Sequence, residues 1–485
     1  MSPLAELAGR LDPSCVLAAP EEMVPFLSDW RGRRHGRALA VLRPRSVADV
    51  STILRWATVT RTPIVPQGGN TGLSGGATPD ESGRCAVLSL GRLNRIRSVD
   101  AEGDSVTAEA GCVLAQLQQE AAKANRLFPL SLGSEGSCQV GGIVATNAGG
   151  INVIRYGTVR DLVLGLEYVR ADGAVIHGLK PLRKDNAGYA LHDLLIGSEG
   201  TLAVITAASF RLFARPRASA TALCAIPDPT AAIRLLAMLR EVAGERISSF
   251  ELICDAEMGL TLDLLSGAAL PFRDRHPWYV FIKIADSTPE AAMEQVLTRA
   301  LALAFDAGVL SDAVVAQSGA QAKALWHLRF AVSEANKRAG PSVSHDTSVA
   351  TADVPRFIAA VQSASAERFP TAQPLFVGHL GDGNIHVILL FGKGGFQDEA
   401  AFAALAASVN ACIFEIVSQF GGSITAEHGV GRSLVGALRR AAQPEALELM
   451  AGIKNAFDPL GILNPGAVLE PDDFRWDHRV IRSEI

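Results

Sequence analysis

The chain has 485 residues, 48% apolar and 20% charged, with a net charge of −5 at neutral pH. That is the composition of a globular protein with more than one core, and it excludes disordered and fibrous classes. Charges of both signs are interspersed without a basic run, so no nucleic-acid partner is expected.

Seven cysteines (Cys15, Cys85, Cys112, Cys138, Cys224, Cys254 and Cys412) are scattered and never form C-x-x-C. This argues against a disulfide framework, a thiolate zinc site or an iron–sulfur cluster held by this chain. The opening stretch MSPLAELAGRLDPSCVLAAPEEM carries Glu6, Asp12, Glu21 and Glu22 and lacks a basic region followed by a long apolar one. No apolar run approaches the roughly 20 residues of a spanning helix. A cytoplasmic protein that does not span a membrane is the expectation.

Apolar TPIV leads into VPQGGNTGLSGG, residues 65–76. A strand running into an anion-binding loop is predicted, because glycines let the backbone turn several N–H groups on a phosphate. The loop matches neither the Rossmann nor the Walker fingerprint, and alone it is equally consistent with a surface turn. Two further segments, PLSLGSEGSCQVGGIVATNAGGINVIRYG (129–157) and DLLIGSEGTLAVIT (193–206), are interleaved with strand-like RCAVLSL and SVTAEAG. Together they point to a nucleotide cofactor threaded along a sheet.

After RPRAS the pattern changes to strand ATALCAI, helix 229–243, strand ISSFELI, strand WYVFIKI, helix 289–306 and strand SDAVVA. The order βαββαβ predicts a ferredoxin-like sheet with helices on one face. The expected division is a cofactor domain over 1–217, a second domain over 218–425 and a helical C-terminal segment over 426–485.

In VGHLGDGNIHVILLF (377–391) the pair Asp382-Gly383 predicts a two-residue hairpin turn. That register sets His379 directly opposite His386 on one sheet face. Two imidazoles so placed serve a shared ion or a stacked core pair equally well. Glu427 in TAEHGVG would complete a two-histidine, one-carboxylate set of zinc type. Adjacent residues point different ways, which leaves His428 free as a proton acceptor.

The run PIVPQGGNTGLSGG, GSCQVGGIVATNAGG, RYGTVRDLVLGLEYV and IGSEGTLAVIT, with GHLGDGNIH and ITAEHGVG, resembles the D-2-hydroxyacid dehydrogenases within the vanillyl-alcohol-oxidase flavoproteins. The match runs in order over most of residues 38–467. It implies an α+β fold with a PCMH-type FAD-binding domain, a ferredoxin-like substrate domain and a C-terminal helical segment that returns to the flavin. Pro66, Gln67, Gly68, Gly69, Asn70, Thr71, Gly72, Leu73 and Ser74 would surround the FAD pyrophosphate. Leu132, Gly133, Ser134, Gly141, Gly142, Asn147, Ala148, Gly149 and Ile205 would line the rest. The pyrophosphate loop offers Gln67 and Asn70 where some relatives tether flavin to histidine or cysteine, so noncovalent FAD is expected.

By the same resemblance His379, His386 and Glu427 would hold Zn2+ or another divalent metal, with His428 as base. Arg329 and Ser333 would bind the substrate carboxylate, and Asn464 would return to the flavin. Where hydroxyglutarate enzymes typically have a lysine and an asparagine, this chain has Ser344 and Ile388, which favours a monocarboxylate. The electron acceptor would be an electron-transfer flavoprotein, a quinone or oxygen, and a homodimer is a further expectation. A flavoprotein subunit of a glycolate-oxidase-like complex and a metallohydrolase are the alternatives.

Overall fold

The computed structural model describes residues 3–288, 292–392 and 399–473. In the first half, strand Ala40–Leu42 leads through helix Val47–Thr60 to strand Ile64–Gln67, and both strands pair in parallel with Ala86–Ser89 between them. The helix starts where Ser46 and Asp49 form a reciprocal capping box. It buries Val50, Ile53, Leu54 and Ala57. Beside this layer stands a five-stranded antiparallel sheet, with Ser105–Glu109 and Val163–Val169 flanking the central Val204–Arg211. Buried Glu109 and Glu167 are tied together by Arg97, which binds both carboxylates. All seven cysteines are buried and unpaired.

From Ala218 a second sheet begins. Strands Ala218–Ile226, Ile247–Cys254, Trp278–Asp286 and Asp312–Val315 lie in spatial order fourth, first, third, second, with helices Pro229–Ala243 and Met293–Asp306 as crossovers. This is the expected ferredoxin-like arrangement; residues 289–291 of the helix predicted over 289–306 lie outside the described residues. The structure then extends the sheet to seven strands by adding Ala372–His379, Asn384–Phe391 and Ser342–Ser348 to the edge formed by Ile247–Cys254. The last of these, SVSHDTS, carries too little apolar alternation to read as a strand.

One expectation about apolar runs fails. Helix Glu399–Gln419 contains a 20-residue segment, Ala400–Gln419, of mean hydropathy 1.9 and so meets the length and composition of a spanning helix. Its Val409, Cys412, Ile413, Ile416 and Val417 belong to the core built on the seven-stranded sheet. Packing therefore accounts for one of its faces.

The C-terminal segment returns to the first unit. On helix Pro444–Phe457, buried Lys454 donates to the Asp458 carboxylate and to the carbonyls of Thr201 and Leu463. Asp458 in turn accepts the N–H groups of Ile462 and Leu463. Leu463 bridges Ile64, and the Asn464 N–H donates to the Ile64 carbonyl at 2.8 Å, beside the strand that enters the first glycine-rich loop.

Candidate active site

The hairpin is not the two-residue turn that Asp382-Gly383 predicts. A four-residue loop, Leu380 to Gly383, connects the strands, so His379 pairs with Asn384 and Val377 pairs with His386. The tight turn loses to a 3-10 turn that ends at Gly383 with φ 85°, where a Cβ would lie 2.1 Å from the Val349 carbonyl oxygen. The shift is by an even number of residues. Both histidines therefore stay on one face as diagonal neighbours, with ring centroids 5.8 Å apart.

Glu427 completes the group. Its Oε1 lies 3.7 Å from His379 Nε2 and 3.8 Å from His386 Nε2. One ligand atom from each of the three residues lies within 4.8 Å of the others. Two imidazoles, once deprotonated at the facing nitrogen, and a carboxylate at this spacing fit a divalent ion of zinc type. The Glu427 Oε2 accepts the Gly150 N–H at 3.0 Å, which joins the group to the second glycine-rich segment. Burial alone would raise the Glu427 carboxyl, yet the surrounding histidines, His379 foremost, hold it well below the usual carboxylate range. Burial likewise opposes protonation of His379, but the carboxylates of Glu251 and Glu427 outweigh it and raise that imidazole well above its usual value. His386 goes the other way, pushed down to about 4 by burial despite Asp346 and Glu427.

His428 stacks on His386 with ring centroids 5.7 Å apart and an interplanar angle of 18°. Its Nδ1 is 3.6 Å from Asp346 and its Nε2 is 3.8 Å from Glu427. Asp346 organises this corner. Its Oδ2 accepts the backbone N–H groups of Ala426, Glu427 and His428 at 3.0, 2.8 and 2.9 Å, and its Oδ1 accepts Asn384 Nδ2 at 2.9 Å. A carboxylate so occupied shapes the loop that presents Glu427 and His428.

Sequence reasoning missed two carboxylates here, Asp346 as organiser and Glu251 beneath His379. Glu251 is 1% exposed and is the charged residue of a strand buried along its whole length, ISSFELIC. A charge buried in such a run was the available signal. Arg329, expected to bind the substrate carboxylate, pairs its Nε and Nη2 with Glu251 at 3.0 and 2.9 Å. Ser333 lies exposed on the adjoining helix Val332–Ala339. Ser344 and Ile388 form a cross-strand pair two positions from Asp346 and His386, on the same face. Arg338 is taken by Glu334, and the Lys337 ammonium lies 5.8 Å from the centre of the Trp30 ring.

The three glycine-rich segments converge. A Cβ on Gly68 would lie 3.6 Å from the Gly142 N, and one on Gly200 would lie 3.0 Å from Pro66. Gly69 tolerates no side chain, since its Cβ would stand 2.0 Å from the Ser137 carbonyl oxygen. Gly72, Gly133 and Gly142 instead face open space, a backbone-lined cradle that a flat ligand fits. Gln67 and Asn70 hold the loop by donating to the carbonyls of Phe26 and Ala77 and of Ser28. Thr71 and Leu73 complete the loop, and Ser74 donates to the Gly429 carbonyl.

In the second segment Leu132 binds Glu135 through its N–H, and the Ser134 carbonyl accepts Ser137 and Cys138. Gly141 packs on Ala110, and Asn147 accepts the Arg160 N–H. Ala148 and Ile205 are buried in the same cluster. A Cβ on Gly149 would lie 3.2 Å from Glu427 Oε2. Asn464 donates to the carbonyls of Gly76 and Glu199 and accepts from Arg432, so its amide ties the C-terminal segment to the cradle. Glu199, also absent from the sequence reading, accepts the N–H groups of Val430 and Gly431, two and three residues past His428.

Residues 38–178 match the family model described as FAD binding domain, and residues 215–468 match FAD linked oxidases, C-terminal domain. The chain is 36% identical to a D-2-hydroxyglutarate dehydrogenase of Xanthomonas citri pv. viticola, over 94% of both proteins. It is 38% identical to the mitochondrial D-2-hydroxyglutarate dehydrogenase of Bos taurus, over 95% of this chain and 82% of that protein. Among solved structures, p-cresol methylhydroxylase superposes with a TM-score of 0.76 at 16% identity over 97% of each chain, and alkyldihydroxyacetonephosphate synthase with 0.70 at 16% identity over 96% of this chain and 84% of that one. These two share the fold. With both halves matched and the relatives aligned along nearly the whole chain, the protein belongs to the FAD-dependent D-2-hydroxyacid dehydrogenase family of FAD-linked oxidases.

Proposed function

We propose that this enzyme oxidises a D-2-hydroxyacid to the 2-oxoacid, with noncovalent FAD as hydride acceptor and a divalent metal, zinc by preference, held by His379, His386 and Glu427. The observation that carries the reading is the convergence of those three residues and His428 on the edge of the glycine cradle, at Gly149 and Gly150. When bound, FAD would supply the hydride acceptor for C2, which no side chain provides, and the metal held by His379, His386 and Glu427 would supply polarisation of the C2 hydroxyl.

The protein's own residues supply the rest. His428 accepts the hydroxyl proton at a ring nitrogen, a role imidazoles commonly fill. Asp346 keeps that imidazole and Glu427 in place through their backbone N–H groups. Arg329, steadied by Glu251, presents its remaining N–H groups to the substrate carboxylate with Ser333 nearby, a forked recognition that lysine could not copy. A metallohydrolase would leave the cradle without a role. Electrons would leave through an electron-transfer flavoprotein or a quinone, in the cytoplasm, and a homodimer fits the reading.

Within the substrate class, the Ser344–Ile388 pair provides no cation for a second carboxylate. Leaving such a group poorly paired costs roughly 1.5–3 kcal/mol, about ten- to a hundred-fold in affinity. A monocarboxylate such as D-lactate, or a longer uncharged D-2-hydroxyacid, is therefore the better substrate. The test is anaerobic flavin bleaching with a panel of D- and L-2-hydroxyacids. D-acids should bleach the flavin and their L-isomers should not. A tenfold preference for D-2-hydroxyglutarate over every monocarboxylate would refute the substrate assignment, and no bleaching by any D-acid would refute the reaction.

A further inference from the structure

Glu251 touches both halves of the site. The antiparallel pairing of Leu252 with Gly378 sets residue 251 across from residue 379. His379 Nδ1 lies 2.8 Å from both oxygens of Glu251, and Oε2 also accepts the Arg329 Nε, with Nη2 paired to it at 2.9 Å. The carboxylate is 1% exposed, and the Arg329 side chain is 11% exposed. In the neutral ring an acceptor at Nδ1 selects the tautomer with Nε2 bare, and that is the nitrogen 3.7 Å from Glu427. The same carboxylate grips one edge of the guanidinium and leaves its other N–H groups aimed elsewhere.

We propose that Glu251 is a positioning residue shared by the metal centre and the carboxylate-binding arginine, so that the two sites are coupled through one buried carboxylate. The inference rests on the reading of His379 as a ligand and Arg329 as the substrate's cation. A second buried acid does not compete for the role. Glu257 also lies within electrostatic reach of Arg329, but burial, ahead of that attraction, pushes its carboxyl up to about 8, so it is neutral at pH 7 and Glu251 carries the counter-charge. A plain structural ion pair would contribute to folding and leave metal affinity alone. Coupling makes a different statement: disturbing the arginine side should be felt by the metal.

The test uses the FAD-loaded full chain, stripped with a chelator and titrated with Zn2+ in competition with a metal indicator, and with Co2+ while its d–d absorption is followed. Glu251→Gln should keep the flavin spectrum, weaken Zn2+ binding about 10- to 100-fold, alter the Co2+ spectrum and raise KM for the hydroxyacid. Arg329→Gln should weaken Zn2+ binding as well, by a smaller factor, although it touches no ligand. If Glu251→Gln does not fold because Arg329 loses its partner, Glu251→Gln combined with Arg329→Gln removes both charges together and should show the same Zn2+ loss. A folded, FAD-loaded Glu251 variant that binds Zn2+ within threefold of wild type overturns the proposal. A wild-type protein that binds none of Zn2+, Co2+ or Mn2+ at this site overturns the metal centre itself, and the wild-type titration separates the two failures.

Discussion

Asp346→Asn tests how the loop that presents Glu427 and His428 is held. One oxygen of Asp346 receives three consecutive backbone N–H groups, from Ala426, Glu427 and His428, and the other receives the Asn384 amide. An asparagine can turn its carbonyl to the loop or to Asn384, not to both. With the carbonyl toward the loop, three bonds to a charged acceptor become bonds to a neutral one, each about half as strong, while the new NH2 faces the donor of Asn384. At roughly 1.5–3 kcal/mol for a charged bond and with incomplete additivity, the loop loses about 2–4 kcal/mol of positioning energy. Spent on displacing Glu427 and His428, this lowers kcat/KM about 30- to 900-fold. The assay is stopped-flow flavin reduction by a D-2-hydroxyacid, with the flavin spectrum and thermal unfolding as controls. A rate within threefold of wild type in a folded, FAD-loaded variant would show that the three N–H bonds do not hold the catalytic geometry.

His379→Ala and His386→Ala should each release the metal and abolish turnover while FAD stays bound, whereas His428→Ala should keep both cofactors and slow flavin reduction by about 10²–10⁴-fold; metal analysis and rapid-mixing kinetics on the three variants check this, and metal loss from His428→Ala would reverse the roles of Glu427 and His428. Lys454→Met leaves Asp458, 0% exposed, with its charge unpaired, and should destabilise the protein by roughly 3–5 kcal/mol with earlier FAD release on heating; calorimetry showing under about 1 kcal/mol would contradict the buried pair. His345, between the Val387 carbonyl and Asn410, is pushed by burial from 6.5 down to about 4. The folded protein keeps it neutral while the unfolded chain takes up a proton, so its contribution is constant above pH 6.5 and is lost as pH falls from there to about 4, at about 1.4 kcal/mol per pH unit. Denaturant titrations of His345→Gln should show a shallower decline than wild type in that window, and parallel curves would count against it.

Much of this protein is legible in its sequence because the informative features are local. Glycines crowd where the backbone must approach a flat ligand, and βαββαβ periodicity announces the ferredoxin-like strands. The parity of a strand likewise put His379 and His386 on one face, and it survived a wrong register because the error was two residues. What the sequence could not show is what depends on partners far along the chain. Arg329 reads as an ordinary helix-face cation until the fold brings Glu251, 78 residues away, against it. Asp346 looks like one acid in a polar stretch until residues some 80 positions later present three N–H groups to one of its oxygens. The hairpin loop, too, was decided at a distance, by the Val349 carbonyl packed where any side chain on residue 383 would stand. Short-range pattern chose the strands and the cradle; the closing of the sheet against the glycine-rich unit chose which carboxylates hold the site.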